Sequence, residues 1–578
     1  MNKLKPLPEE WSGLLNNEQK EAIENINGPL LIIAGAGSGK TRVLTYRYAH
    51  LIKTYGINFE NVLAITFTNK AANEMKDRIS DLLNLELSPK WISTFHSLCV
   101  KMLRIHGHLI GFNNNFTIYD QSDSTKLVRN CMRDSDIDTK QYSPKRIQAH
   151  ISSLKNQRIL PGEAVEFAQS FFDVKVAEIY SSYQKKLMLA NSMDFDDLLI
   201  KAVELLETSD KSLNYWSSKF QYIMIDEYQD TNMVQYRLVE LLASKHKNIC
   251  VVGDSDQSIY AFRGADIRNI EEFESDFKNA KVISLEKNYR SSQKILDIAN
   301  AVISNNPRKK DKKLWTDNDE GLDVNLVEFN SERDESRWIA EQINKLLEDK
   351  AFTEIAIFYR TNNQSRLFEE ELRKLSLSYK VVGNVRFYDR KEIKDILAYL
   401  NYLINPEDTV SFERILNVPK RGIGESTLQK LRDYANKNEI SLSKSIENLD
   451  EINNLSDRVK KQINNFKEII NDLKSFALQG PSETISKTLE LTGYKDELVK
   501  EGTLDSQMRL ENLDELLTSA FEFENLYEED IEDPFTVLRD YLESIALFTD
   551  SDDVDKEDRI LLMTLHNAKG LEFPVVFM

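Results

Sequence analysis

Cysteine is almost missing from this sequence: Cys99, Cys131 and Cys250 are the only 3 in 578 residues. An odd number so widely spaced builds neither a disulfide framework nor a zinc-ligand pattern, and it points to a reducing, cytoplasmic setting. Long apolar runs are missing too. No stretch approaches the ~20 residues that span a bilayer, and Met1–Glu10, with Pro6 and Pro8, has no apolar segment of a secretory signal. No membrane partner is expected. Basic residues are in deficit, 75 Lys and Arg against 94 Asp and Glu, for a net charge of −19. As an average, that balance argues against nucleic acid, because phosphate-binding surfaces are basic. The average misleads: residues 521–558 hold 15 acids and 2 bases, which is −13 of the −19, leaving −6 for the other 540 residues. The acidic excess is thus a local solvated face, and nucleic acid stays open as a partner.

What remains has the composition of folded protein. Hydrophobic residues make up 41% and charged residues 29%, too apolar for wholesale disorder. At roughly 100–200 residues per domain, such a chain holds about three to five domains. It shows neither a repeat of solenoid period nor a low-complexity tract. Short β-branched runs end in polar or glycine-rich turns and are followed by helical patterns. They predict buried parallel strands at Leu30–Ala34, Val62–Thr66, Tyr222–Ile225, Ile249–Val252, Ile355–Tyr359, Leu561–Leu565 and Val575–Met578. After the first of these, Leu44, Tyr48, Leu51 and Ile52 fall on one helical face. Two long segments, about Gly111–Asn191 and Arg390–Asp555, are helical with almost no strand signal. The expected fold is therefore α/β, with two parallel-sheet domains (1–110 with 192–285, and 286–389 with 556–578). Each is interrupted by a mainly helical insertion (111–191 and 390–555). In such sheets ligands collect at the C-terminal ends of the strands.

Ala34-Gly35-Ala36-Gly37-Ser38-Gly39-Lys40-Thr41 lies between the first strand and its helix, the context that a phosphate-binding loop requires. Small residues let backbone N–H groups wrap a phosphate, and the helix N-terminus adds partial positive charge. Lys40 reaches the β- and γ-phosphates, and the Thr41 hydroxyl binds Mg²⁺. Ala34 stands where the usual pattern has glycine. Glycine-rich turns also occur in folds that bind no nucleotide, but here the Gly-Lys-Thr is in register with its strand and helix. The run Tyr222–Ile225 delivers Asp226 and Glu227 to the end of a second strand. Asp226 can hold Mg²⁺ and Glu227 can orient and deprotonate an attacking water. Alone, two adjacent acids read equally as solvated surface; with the loop they predict NTP hydrolysis.

Other segments read toward a nucleic-acid partner. Tyr260-Ala261-Phe262-Arg263 sets aromatics beside an arginine at a strand end, which suits base stacking with phosphate neutralisation; the competing reading of both aromatics is core. Val418-Pro419-Lys420-Arg421-Gly422-Ile423-Gly424 reads as a tight turn between helices. It either holds a duplex phosphate through its N–H groups and cations or is an ordinary interhelical turn. The carboxylates of Met193–Leu198 read as a helix cap.

With these blocks in this order, the sequence resembles the superfamily 1 DNA helicases of the UvrD/Rep/PcrA type nearly end to end. The resemblance implies two RecA-like P-loop domains, ATP with Mg²⁺, and roles for particular residues. Leu15-Asn16-Asn17-Glu18-Gln19 is similar to the segment whose glutamine, here Gln19, reads adenine, and Arg42 joins the loop residues in holding the nucleotide. Ile65-Thr66-Phe67-Thr68-Asn69-Lys70 and Ser93-Thr94-Phe95-His96 resemble strand-contacting segments, which puts Thr66, Phe67, Asn69, Lys70, Thr94, Phe95 and His96 at DNA. In Val252–Gly264, Gln257 would sense the γ-phosphate while Tyr260, Phe262 and Arg263 face the strand; most of the family has tryptophan where Phe262 stands. Asn288-Tyr289-Arg290-Ser291 implies that Tyr289 stacks on adenine and Arg290 is an arginine finger. Met563–Phe573 implies His566 toward DNA and Glu572 toward the ribose. Arg421, Gly422 and Gly424 would meet the duplex, and Lys70, Arg263, Lys420, Arg421 and Lys569 would line the strand path.

Val575–Met578 falls within a strand that in the family continues into a block with a second arginine finger, and no segment here resembles that block. The expectation is a second RecA-like domain incomplete at its C-terminus, in a fragment of a full helicase. The expected function is an ATP-dependent DNA helicase moving 3′ to 5′ on single-stranded DNA and unwinding duplex in repair or replication. Its partners would be single-strand/duplex junctions and repair or replication proteins. Two alternatives stand beside it: an ATP- and DNA-binding module that does not unwind, and the helicase subunit of a helicase–nuclease.

Overall fold

The computed structural model describes residues 5–84, 89–306, 312–383, 387–527, 533, 535–548 and 558–578. The chain forms two compact units, one of Met1–Leu98, Ser209–Asn384 and Thr549–Met578, the other of Cys99–Thr208 and Val385–Phe548. In chain order the strands are β1 (Leu30–Ala34), β2 (Val62–Thr66), β3 (Ile92–Thr94), β4 (Thr117–Tyr119), β5 (Ser192–Asp194) and β6 (Tyr222–Ile225). They continue with β7 (Ile249–Gly253), β8 (Lys281–Leu285), β9 (Ile355–Tyr359), β10 (Tyr379–Val381), β11 (Ile560–Thr564) and β12 (Val575–Phe577).

The first unit holds two all-parallel sheets, the RecA-like pair. The larger runs β3-β2-β6-β7-β1-β8. Its central strands are buried on both faces, which is why they read as unbroken apolar runs. Leu44, Tyr48 and Leu51 of helix Lys40–Tyr55 are buried beside Leu30, Ile32 and Val252; each such side chain contributes about 1.5–3 kcal/mol. Register aligns the C-terminal ends: Ile33 pairs with Gly253, Ile225 with Val251, and Ile65 with Ile225. The turns that leave β1, β2, β6 and β7 therefore meet along one edge.

The smaller sheet runs β10-β11-β9-β12. Helices Glu332–Leu346 and Ser365–Lys374 cover one face through Ile339, Ile343, Phe368 and Leu372, which pack on Ile355, Ile357, Ile560 and Leu562. Strand β11 begins and ends one residue before the expected Leu561–Leu565, and β12 stops at Phe577. Strands β3, β8 and β10 carried too little pattern to be expected: β3 and β10 have three residues each, and β8 alternates between exposed and buried at a sheet edge.

The second unit is helical apart from the short parallel pair β4–β5. One core gathers Leu127, Ile147, Ile151, Val176, Tyr180 and Leu187; another gathers Ile393, Tyr399, Phe412, Leu431, Phe466 and Leu516. Helix Phe195–Thr208, which the sequence reading placed with the first sheet, belongs to this unit. Its first turn is tied there by charge: buried Lys155 lies 2.7 Å from Asp194 and 2.8 Å from Asp197. Asp194 also accepts from the Asp197 backbone N–H at 2.8 Å, the expected helix cap. The expected boundary at 555/556 and much of the acidic window lie outside the described residues. Among the described residues no helix is long and apolar enough to cross a membrane.

Candidate nucleotide and nucleic-acid sites

The loop after β1 reverses through two left-handed glycines, Gly37 (φ +65°) and Gly39 (φ +85°), a conformation that side chains resist. A Cβ on Gly37 would also lie 2.6 Å from the Asn288 amide. The turn thus needs glycine for conformation and for space. Ser38 Oγ donates to the Gly35 carbonyl at 2.8 Å and closes the loop on itself. Lys40 then opens its helix with Nζ 2.9 Å from Glu227 Oε1 and 3.3 Å from Gln257 Oε1. Thr41 Oγ1 donates to Asp226 Oδ2 at 3.4 Å.

Glu227 sits in the left-handed region (φ +51°), where a non-glycine residue costs about 1–3 kcal/mol and persists only when its surroundings fix it. Two partners do so: Lys40, and Gln229, whose Nε2 donates to Glu227 Oε2 at 2.6 Å. Burial opposes the charged form of both acids at this strand end. For Asp226 burial prevails, reinforced by the Glu227 charge, and pushes the carboxyl up to about 6. For Glu227 burial is outweighed by Lys40 and Lys569, which hold it below the usual carboxylate range. Lys40, despite its own burial, is raised by Glu227 and Asp226 and stays protonated. Thr41 and Asp226 form an all-oxygen pair with an under-neutralised carboxylate, a donor set that suits Mg²⁺.

The adenine-side residues gather at the same edge. Buried Gln19 spends its carboxamide within the protein: Oε1 accepts from Asn16 N–H at 3.1 Å and Nε2 donates to the Ser38 carbonyl at 3.1 Å. Tyr289 is half exposed and its hydroxyl accepts from Asn16 Nδ2 at 3.0 Å. The Arg42 guanidinium lies over the Tyr46 ring. Arg290 Nε donates to Glu572 Oε2 at 2.5 Å, so the two side chains expected at opposite ends of the nucleotide hold each other. Two residues whose roles the sequence reading missed organise the site. Asn288 donates to the Ala36 carbonyl at 2.7 Å and accepts from the Arg290 and Ser291 N–H groups. Gln229 joins Glu227 to the Asp254 backbone N–H, which it accepts at 2.9 Å. A carboxamide fits both tasks because it donates and accepts at once, yet nothing in its spacing announces them.

Beside this site lies an aromatic face. Phe67 stacks on Tyr260 at 5.4 Å, and Phe262 meets the His566 ring edge-on at 5.1 Å. The Tyr260 hydroxyl donates to the His566 carbonyl at 3.0 Å. Phe262 is 67% exposed, which excludes the core reading for it. Asn69 and Lys70 open the helix after Phe67 and are partly exposed. The Arg263 side chain lies outside the described residues.

Other residues expected at the strand are less exposed. Thr66, Thr94 and Phe95 are buried. Thr66 Oγ1 donates to the Thr68 carbonyl at 3.0 Å and Thr94 bonds Ser97 at 2.9 Å, so these three shape the loops from within. Burial pushes His96 down to about 4, which leaves it neutral at pH 7. Lys569 is occupied within the protein: it pairs with buried Asp230 and donates to the Gln257 carbonyl at 2.8 Å.

Arg421 is likewise turned inward. It donates to the Ile415 and Val418 carbonyls at 2.8 and 3.0 Å and to the Tyr399 hydroxyl at 2.5 Å. The closing carbonyls of helix Thr409–Ile415 have no intrahelical N–H to accept from; the Val418 N–H reaches the Ile415 carbonyl at 3.2 Å, and the guanidinium adds a charged donor to it. Gly422 and Gly424 remain exposed. Arg421→Ala is therefore expected to destabilise the helical unit by about 1.5–3 kcal/mol, read as a lower Tm, and to leave duplex affinity unchanged.

Comparison with known proteins agrees with this arrangement. Residues 15–278 match the UvrD/REP helicase N-terminal domain and residues 283–578 the UvrD-like helicase C-terminal domain. The ATP-dependent DNA helicases PcrA of Staphylococcus aureus and of Staphylococcus epidermidis are each 46% identical to this chain over 565 residues, covering 97% of it and 77% of the relative.

Proposed function

The chain belongs to the UvrD/REP helicase family, and on that footing we propose that it is an ATP-dependent DNA helicase. It hydrolyses ATP in response to single-stranded DNA, tracks that strand 3′ to 5′, and unwinds duplex at single-strand/duplex junctions in repair or replication. One observation carries the reading. The loop after β7 places Gln257 at Lys40 and, three residues on, Tyr260 in the aromatic face. A shift of Gln257 on hydrolysis therefore moves a base-stacking surface.

In this mechanism the loop N–H groups and Lys40 hold the phosphates while Thr41 and Asp226 hold Mg²⁺. When bound, the metal supplies neutralisation of phosphate charge. Glu227, kept ionised by Lys40, takes a proton from the attacking water. Gln257 and Arg290 face the γ-phosphate. Arg290 and Glu572 exchange their ion pair for the γ-phosphate and the ribose, and Gln19 with Tyr289 flanks the adenine. Phe67, Tyr260, Phe262 and His566 stack on bases without reading them, as a motor that steps along any sequence requires.

The test is hydrolysis and unwinding by this chain on partial duplexes with a 3′ or a 5′ tail. DNA-stimulated turnover with unwinding only from the 3′ tail is expected. Strand binding with no turnover would leave an ATP- and DNA-binding module, and unwinding from the 5′ tail would reverse the polarity. Phe262→Ala is expected to keep the fold, because the ring is mostly exposed, and to weaken oligonucleotide binding. Stacking worth ~1–3 kcal/mol per base corresponds to roughly 5- to 150-fold in Kd, measurable by fluorescence anisotropy.

A further inference from the structure

Gln257 reaches Lys40 through a side chain that is itself held from behind. Its Nε2 donates to Asp254 Oδ2 at 2.6 Å, which turns Oε1 toward Lys40. Asp254 is 2% exposed, and a buried carboxylate needs a cation. That cation is Lys312, whose Nζ is paired with Asp254 Oδ1 and lies 3.1 Å from Asp256 Oδ2. Lys312 comes from far along the chain, in a segment fixed at several points. Leu314 lies over the phosphate loop, where a Cβ on Gly35 would meet its Cδ2 at 2.1 Å. Asn300 Nδ2 donates to the Leu314 carbonyl at 3.0 Å, and the Asn288 N–H donates to the Trp315 carbonyl at 2.8 Å.

We propose that Lys312 is a positioning residue for ATP hydrolysis: it holds Asp254 and, through it, the orientation of the Gln257 carboxamide. Lys312 need not touch the nucleotide to do this. Its ammonium group pairs with one oxygen of the Asp254 carboxylate while the other accepts from Gln257, and it offsets a negative charge that would otherwise repel the incoming phosphates and compete for Lys40. Because its segment also packs on the phosphate loop and on Asn288, a movement of that segment reaches the γ-phosphate sensor through one ion pair and one hydrogen bond. The inference rests on the ATP-hydrolysis reading above.

The experiment measures steady-state ATP hydrolysis with saturating single-stranded oligonucleotide for the parent chain, Lys312→Met, Lys312→Arg, Gln257→Ala and the Lys312→Met/Gln257→Ala double variant. Lys312→Met is expected to lower kcat about tenfold with the KM for ATP little changed, a smaller loss than the roughly 10²–10³ that follows direct removal of a transition-state donor, because Gln257 is loosened and not lost. Lys312→Arg, which keeps the charge, is expected to restore most of it. The double variant is expected to be no slower than Gln257→Ala alone, because both changes break the same connection. A merely structural role would lower Tm and add to the Gln257→Ala defect. Full kcat in Lys312→Met, additive losses in the double variant, or a raised KM with kcat intact would each overturn the proposal; the last would make Lys312 a nucleotide-binding cation. If Lys312→Met fails to fold, Asp254→Asn breaks the same link from the other side and is held to the same outcomes. A parent chain that hydrolyses no ATP sinks the motor reading and this inference with it; an active parent with an unaffected Lys312→Met sinks the inference alone.

Discussion

Lys40→Ala is expected to lower DNA-stimulated ATP turnover by at least about 10³-fold, the range seen when a charge that stabilises phosphoryl transfer is removed. Two losses coincide in this variant. The phosphate loses its nearest cation, and Glu227 loses the partner that holds its carboxyl below the usual range, so the base is itself protonated more readily. A coupled spectrophotometric assay at saturating oligonucleotide checks the rate, and a labelled-nucleotide binding measurement should show that ATP affinity falls with it.

The same substitution has a pH signature with a definite sign. In the parent, the depressed Glu227 carboxyl contributes stability that is present above its unfolded pKa and lost as pH falls through the folded value. The raised Lys40 contributes throughout the range below its unfolded pKa. Asp226, pushed up to about 6, works the other way and costs stability above that pH. Without Lys40, Asp226 loses its neutralising cation and Glu227 keeps only Lys569, so both carboxyls move up and both favour acid. The Tm deficit of Lys40→Ala against the parent should therefore shrink as pH is lowered from 7.5 toward 5. A deficit that stays constant with pH would mean that Lys40 is not what neutralises the pair.

The nucleotide site was the most legible part of the sequence because its chemistry is local. A glycine-rich turn, a lysine and a threonine sit consecutively at one strand end, and the acids follow another apolar run. The strands that carry them are buried on both faces, so β1, β2, β6, β7 and β9 stand out without any partner being known. Strand β8 does not, since an edge strand that alternates in burial resembles many surface segments. Arg421 and Lys569 have surroundings that the sequence does not show, because their partners are backbone carbonyls and an acid brought to them by folding. Arg421 next to two glycines looks like a free cation until the end of helix Thr409–Ile415 is folded beneath it. Lys569 reads as a strand contact, and its pairing with Asp230 shows only once the chain is folded. The aromatics failed to resolve for the complementary reason. Tyr260 and Phe262 have identical sequence credentials for core and for surface, and only the packing around them leaves Phe262 bare. Lys312 lies outside every recognisable motif and joins the site solely through tertiary contact.

Glu227→Gln is expected to separate binding from chemistry. The carboxamide keeps the shape of the side chain and removes its basicity, so kcat should fall by about 10²–10⁴, the contribution of a positioned general base. ATP binding should be retained or tightened, because a negative charge next to the phosphates is gone and Lys40 is released from its ion pair. Lys40→Ala, by contrast, loses both. A local cost comes with the swap. Glu227 accepts from Lys40 and from Gln229 Nε2, and a glutamine offers one oxygen where the carboxylate offered two. One donor must then turn away, at about 1 kcal/mol, and the left-handed backbone at 227 is held less firmly. Single-turnover hydrolysis with nucleotide binding measured in parallel decides the matter: a variant that binds ATP and does not cleave it assigns the base to Glu227. Turnover within tenfold of the parent would move the base to another carboxylate. Asp230 is then the nearest candidate, since burial pushes its carboxyl up to about 6 and Gln229 Nε2 already reaches it at 3.3 Å.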